Sequence, residues 1–217
     1  MIGEVVFDMK IALVVGHNSK GKGAYSEFLK TSEFDFFNKV AEKIQHDIEN
    51  VFVYNRVDVG SYTKEMDNLI TEIHKDKYDL ILELHFNASG GGGNGVEVLY
   101  YAKSEKSKKW ASEINQIHHD ILGVKIRRIV PVSDYSLHGS RGIMKCKYPY
   151  LLTESFFGDN EKDITKVSVD SVAECFIKFL VSIGCSTIEK VDSTPSMSVW
   201  DVINDLEARI KKLEDNK

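Results

Sequence analysis

The chain reads as an α/β protein: a mostly parallel sheet with helices on both faces, plus a short C-terminal helix. Three observations predict this class. The apolar runs Ile11-Ala12-Leu13-Val14 and Leu80-Ile81-Leu82 are continuous, as in strands buried on both faces. Segments between such runs carry apolar residues three and four apart, the helical period. The two patterns alternate along the sequence, which is the signature of a parallel sheet built from crossover units. A length of 217 residues suits one domain with a substantial core and a short appendage.

The elements follow in order. Residues 11–15 form a buried strand, and residues 16–23 a loop of Gly, Ser and Lys. Ser32 is placed to cap a helix over residues 33–49, whose inner side is Phe36, Phe37, Val40, Ala41, Ile44 and Ile48. Residues 51–55 are a second strand, and residues 63–74 an amphipathic helix with Met66, Leu69, Ile70 and Ile73 inward. Residues 80–84 are a central strand. A glycine-rich and mobile loop, Ser89-Gly90-Gly91-Gly92-Gly93-Asn94, introduces a strand over residues 95–101. Helices are expected over residues 104–122 and 163–183, with a short strand over residues 150–154 between them. The catalytic domain is set at residues 1–185 and a polar linker containing Pro195 at residues 186–198. In the last segment, residues 199–217, Val199, Ile203, Leu206, Ile210 and Leu213 step four and three apart, a two-heptad seam. That seam either docks on its own domain or makes a homo-oligomer with help from elsewhere.

Composition excludes several classes. The formal net charge is −5, so the chain as a whole is no nucleic-acid binder. Residues 102–147 hold ten Lys/Arg against four Asp/Glu, a local +6. This is either a solvated face or a region that steers the protein toward an anionic polymer. Cys146, Cys175 and Cys185 are an odd, unpatterned set, read as reduced thiols. The first residues have no basic leader and no cleavage site, so no signal peptide is expected, and no apolar stretch reaches membrane-spanning length. The protein is therefore expected to be made in the cytoplasm, without membrane insertion.

Two histidines stand where an apolar strand gives way to a loop. They are His17, in Val15-Gly16-His17-Asn18, and His85, in Leu84-His85-Phe86-Asn87-Ala88. Ligands collect at the carboxyl ends of strands in α/β sheets. Two such imidazoles and one carboxylate would make a three-ligand zinc site with an open fourth position. The carboxylate is expected from the helix after the first loop, with Glu33 ahead of Asp35. A lone strand-end histidine is also a common structural residue, so neither argues the site by itself. Glu154, at the end of Tyr150-Leu151-Leu152-Thr153, is either a general base or a capping or salt-bridged glutamate.

Five pieces, in register, carry a resemblance. They are Val15-Gly16-His17, Ser32-Glu33-Phe34, the segment from Glu83 to Ser89 around His85-Phe86-Asn87, the segment Gly95-Val96-Glu97-Val98-Leu99-Tyr100-Tyr101, and Leu152-Thr153-Glu154-Ser155-Phe156-Phe157-Gly158-Asp159-Asn160. Over residues 10–183 the chain resembles the zinc-dependent N-acetylmuramoyl-L-alanine amidases, and is most similar to catalytic domains of phage endolysins acting on Gram-positive walls. The resemblance implies a twisted, mixed six-stranded sheet. It implies His17, Glu33 and His85 as ligands of a zinc ion (Zn2+) and Glu154 as the catalytic glutamate. It implies hydrolysis of the amide between muramic acid and L-alanine in bacterial peptidoglycan, reached after release through a holin-like pore if the gene is a phage's. The chain departs from the family pattern in two places. Asn18-Ser19-Lys20 follows the first histidine, where a small residue is usual, and Phe37 stands one turn after Glu33, with Asn38 one residue late.

Asn87, His138 and Arg141 are candidate substrate contacts; Arg141 faces either a stem-peptide carboxylate or a local Asp. His118 and His119 point too far apart on a helix to share an ion. Residues 90–93 lack the spacing of a phosphate loop. Two rival readings remain: a zinc peptidase or carboxypeptidase cutting another wall amide, and a non-catalytic wall-binding or assembly module.

Overall fold

The computed structural model describes residues 9–188. Its strands are β1 (Ile11–Val15), β2 (Tyr25–Ser26), β3 (Thr31–Ser32), β4 (Val51–Asn55), β5 (Leu80–Asn87), β6 (Val96–Tyr101), β7 (Ile126–Val132) and β8 (Tyr150–Phe157). Its helices are α1 (Glu33–Asp47), α2 (Tyr62–Ile73), α3 (Glu105–Leu122), α4 (Ser140–Lys145) and α5 (Val169–Ser182). Six strands make one sheet in the order β4-β1-β5-β8-β6-β7, and β2 and β3 pair as a small hairpin. Neighbours in the block β4-β1-β5-β8 are parallel, and β6 and β7 run the other way, so the expected mixed six-stranded sheet is what forms.

Two cores follow from the alternation of side chains across the pleat. On one face Leu13, Leu82, Leu84 and Val98 pack under α1, α3 and α5. On the other Val14, Ile81, Leu99 and Tyr150 pack under α2 and α4. Helix α1 is seated by aromatic rings. The ring of Phe36 lies edge-on to Phe37 at 5.3 Å and to Phe156 at 5.7 Å, and the Phe86 ring is 5.3 Å from Phe156. Burying each such ring is worth about 1.5–3 kcal/mol, so the start of α1 is fixed relative to β5 and β8. Ser32 caps α1 as expected, its hydroxyl accepting from Asp35 N at 3.1 Å.

Four sequence expectations change. The helix expected over residues 163–183 is broken: Asp163–Lys166 is a 3-10 turn, and α5 begins after Ser168, which forms a reciprocal capping box with Ser171. Strands β5 and β8 each run on to an aromatic segment beyond the expected ends. Strand β7 and helix α4 were not anticipated. Strand β7 lies at the sheet edge, where Pro131 is tolerated, and α4 has only 6 residues, too few to show a period. The glycine-rich loop expected to be mobile is tied down. Asp159 Oδ2 accepts from Ser89 N at 2.7 Å and Gly91 N at 2.9 Å, and Asn160 Nδ2 donates to Gly93 O at 2.8 Å.

Cys146 and Cys175 are free thiols. Among the described residues no helix is long and apolar enough to cross a membrane. The linker at residues 186–198 lies mostly, and the heptad helix at residues 199–217 wholly, outside the described residues.

Candidate active site

The site is built at the carboxyl ends of β1, β5 and β8. The first turn after β1 places His17. Its φ of 68° is unusual for a residue with a side chain. Three contacts hold the turn: Gly16 N donates to Leu84 O at 3.0 Å, Arg56 Nε to His17 O at 3.1 Å, and Asn18 N to Gly21 O at 3.2 Å. A glycine is required at position 16 by close approach, since a Cβ there would stand 2.2 Å from His85 Cε1. Asn18, where the family pattern is broken, is buried and donates to Glu65 Oε2 at 2.9 Å while accepting from the Lys20 and Gly21 amides. It organises the loop.

Glu33 is the first residue of α1, where the helix dipole favours a carboxylate. It is 3% exposed and sits between both imidazoles: Oε2 is 2.9 Å from His17 Nε2, and Oε1 is 2.6 Å from His85 Nδ1. Burial works to raise the Glu33 pKa, but its contacts with His17 and His85 outweigh it and hold it at about 2. His85 is buried at the cleft wall. Burial opposes its positive charge, yet Glu33 and Glu83, one at each ring nitrogen, raise its pKa well above the ordinary imidazole value. Asp35, the other candidate from α1, turns away and pairs with Lys22 at 2.9 Å.

Among the described residues His17, Glu33 and His85 are the one group whose ligating atoms all lie within 4.8 Å of each other. The donor set is two imidazoles and a carboxylate. The same atoms lie within ion-pairing distance of one another through the Glu33 carboxylate. Glu154 pairs with His85 across β5 and β8, which places both on the same face. Its Oε2 is buried and finds no hydrogen-bond partner. Burial, with Glu33, Glu97 and Glu83 adding and His85 opposing, pushes the Glu154 pKa up to about 7. An acceptor oxygen left orphaned in a cavity is the second mark of a reactive site.

The cavity measures about 470 Å³ and is lined by these four residues together with Arg56, Tyr62, Glu83, Asn87 and His138. Tyr62 and His138 stack at 6.0 Å, with the Arg56 guanidinium 5.1 Å over the Tyr62 ring. Asn87 and His138 therefore reach the cleft. Arg141 does not line it, and pairs instead with Asp67 through Nε at 2.8 Å and Nη2 at 2.7 Å, the local alternative. His118 is buried against Phe176, far from any ion role. Part of the basic stretch is consumed in the same way: Arg127 and Arg128 both pair with Glu97, and Lys145 pairs with Asp67. Sequence reasoning missed Arg56, Glu65 and Glu83. Of these only Glu83 left a signal, as a carboxylate inside an otherwise apolar central strand.

Residues 11–178 match the family model for N-acetylmuramoyl-L-alanine amidase. The chain belongs to the N-acetylmuramoyl-L-alanine amidase family. It is thus a peptidoglycan amidase, an enzyme of cell-wall degradation. Among solved structures it is similar to the catalytic domain of the CD27L endolysin targeting Clostridia difficile, at 27% identity and a TM-score of 0.65, over 80% of this chain and 97% of that one. The amidase from Clostridium difficile 630 shares the fold at 21% identity and a TM-score of 0.62, over 81% of this chain and 96% of that one. The catalytic domain of CwlV from Bacillus (Paenibacillus) polymyxa var. colistinus does so at 21% and 0.62, over 81% and 98%. A comparison with curated protein sequences yields no match.

Proposed function

We propose that the chain is a zinc-dependent amidase working as a phage or prophage endolysin, with His17, Glu33 and His85 as metal ligands and Glu154 as the catalytic glutamate. The observation that carries this is the nitrogen, nitrogen and oxygen cluster beside the orphaned Glu154 oxygen in one cleft. Two imidazoles and a carboxylate from separate elements are the ligand type of catalytic zinc, which keeps its fourth position open. Bound there, zinc would polarise the scissile carbonyl and make water acidic enough to attack. Glu154, with its pKa held at about 7, is poised to take the proton of the attacking water and pass it to the leaving L-alanine nitrogen. Asn87 and His138 line the cleft where the muramic acid and stem peptide would lie, and are the proposed substrate contacts. The endolysin role is supported by the likeness to the CD27L catalytic domain along nearly its whole length.

The test is digestion of purified Gram-positive peptidoglycan with and without chelator, followed by mass spectrometry of the soluble products. Stem peptides beginning at L-alanine, lost with chelator and restored by zinc, are expected. Cuts inside the peptide would move the reading to a zinc peptidase. Release that ignores the chelator would remove zinc from it.

A further inference from the structure

Glu83 lies in the middle of β5, 2% exposed, and the proposed chemistry leaves it without a role. Both of its oxygens are committed. Oε1 is 3.1 Å from His85 Nε2, and Oε2 accepts from the Tyr150 hydroxyl at 2.7 Å. Among the described residues His85 is its only ion-pair partner. Tyr150 is itself 1% exposed, and its room is reserved: a Cβ on Gly142 would stand 2.4 Å from Tyr150 Cζ. A carboxylate so deep in a core is costly, and replacing such a buried pair with apolar side chains is often neutral or stabilising. Its presence calls for a partner that needs the charge.

The partner is one imidazole, used from both sides. Nδ1 of His85 faces Glu33, inside the three-residue cluster, and Nε2 faces Glu83, outside it. A neutral imidazole has one N–H and one lone pair. We infer that Glu83, held by Tyr150, is a positioning residue for His85: it accepts Nε2–H and so leaves the Nδ1 lone pair aimed at the metal position between His17 and Glu33. This rests on the reading of His85 as a zinc ligand. A carboxylate behind a ligating histidine fixes the ring and makes it a stronger donor, and losing such a partner weakens metal binding by roughly 10- to 100-fold.

The experiment measures zinc affinity by competition with a chelator of known strength, for the unaltered protein, Glu83→Gln, Tyr150→Phe and His85→Ala. Thermal melts check each fold. Glu83→Gln is expected to lose roughly 10- to 100-fold in zinc affinity with its melt still cooperative, and Tyr150→Phe to lose less. Long-range proton–nitrogen spectra of the zinc-loaded unaltered protein should show His85 with its proton on Nε2. Unchanged zinc affinity in a folded Glu83→Gln, or the proton on Nδ1, would overturn the inference. If Glu83→Gln does not fold, Tyr150→Phe decides: lower zinc affinity supports the inference, and full affinity overturns it. His85→Ala separates the two levels, because undiminished zinc binding there sinks the zinc-site reading itself, whatever Glu83 does.

Discussion

At the scale of single residues the site depends on how tightly side chains are placed. The orphaned Oε2 of Glu154 is the clearest instance. Replacing Glu154 with Gln keeps shape and volume but removes the proton acceptor. The variant should keep its fold and its zinc while its rate falls by about 10²–10⁴, the scale of a lost general base. Near-normal turnover on peptidoglycan by zinc-loaded Glu154→Gln would end the assigned role. Gly16 makes a complementary prediction. A methyl at that position would overlap the His85 ring, with 2.5 Å to Nδ1 and 2.6 Å to Nε2. His85 cannot retreat without leaving Glu33 and Glu83, so Gly16→Ala should weaken zinc binding while circular dichroism stays native. Zinc titration of that variant is the check.

At the scale of elements, what the sequence revealed follows from periodicity. Helix α1 was legible because Phe36, Phe37, Val40, Ala41 and Ile44 mark one face and Ser32 marks its start, and that alone placed Glu33 at the first turn. Strands β1 and β5 were legible as apolar runs, and with them His17 and His85. Strand β7 was not, because Arg127 and Arg128 interrupt its alternation to reach Glu97. Asp163 concealed the break before α5: its carboxylate accepts from Gly95 N at 2.7 Å and Phe157 N at 2.9 Å, contacts between distant segments that no local pattern announces. Helix α3 carries a prediction of its own. His118 is buried in it, Nδ1 donating to Ile114 O at 2.9 Å and Nε2 without a partner. Burial lowers its pKa from 6.5 to about 4. Between those values the unfolded chain binds a proton that the native helix refuses, so stability falls as pH falls through that window. From about pH 7 to pH 5 this one group should cost about 2 kcal/mol. His118→Leu should flatten the acid loss by that amount in urea unfolding measured at the two pH values. An equal loss in both proteins would show that His118 is not the cause.

At the scale of the whole molecule, the proposed ligands come from three elements that only the finished fold brings together. His17 follows β1, Glu33 opens α1 and His85 lies in β5, with Glu154 supplied from β8. This long-range assembly is why the sequence suggested ligand types without showing their distances, and why Glu83 behind His85 became evident only once Tyr150 was seen beside it. It also has a thermodynamic consequence. A site absent from the unfolded chain turns metal affinity into folding stability. Free zinc at 1,000 times its dissociation constant would add about 4 kcal/mol, which for a domain of this size raises the melting temperature by roughly 10 °C. Chelator should remove that increment, and His85→Ala should melt at one temperature with or without zinc. Without metal the same three side chains still hold each other through Glu33, so the unloaded protein should remain folded rather than collapse. The stabilisation is therefore expected as a shift of a single cooperative melt. A melting temperature in the unaltered protein that is indifferent to both zinc and chelator would mean that these residues form a hydrogen-bonded core feature and not a metal centre.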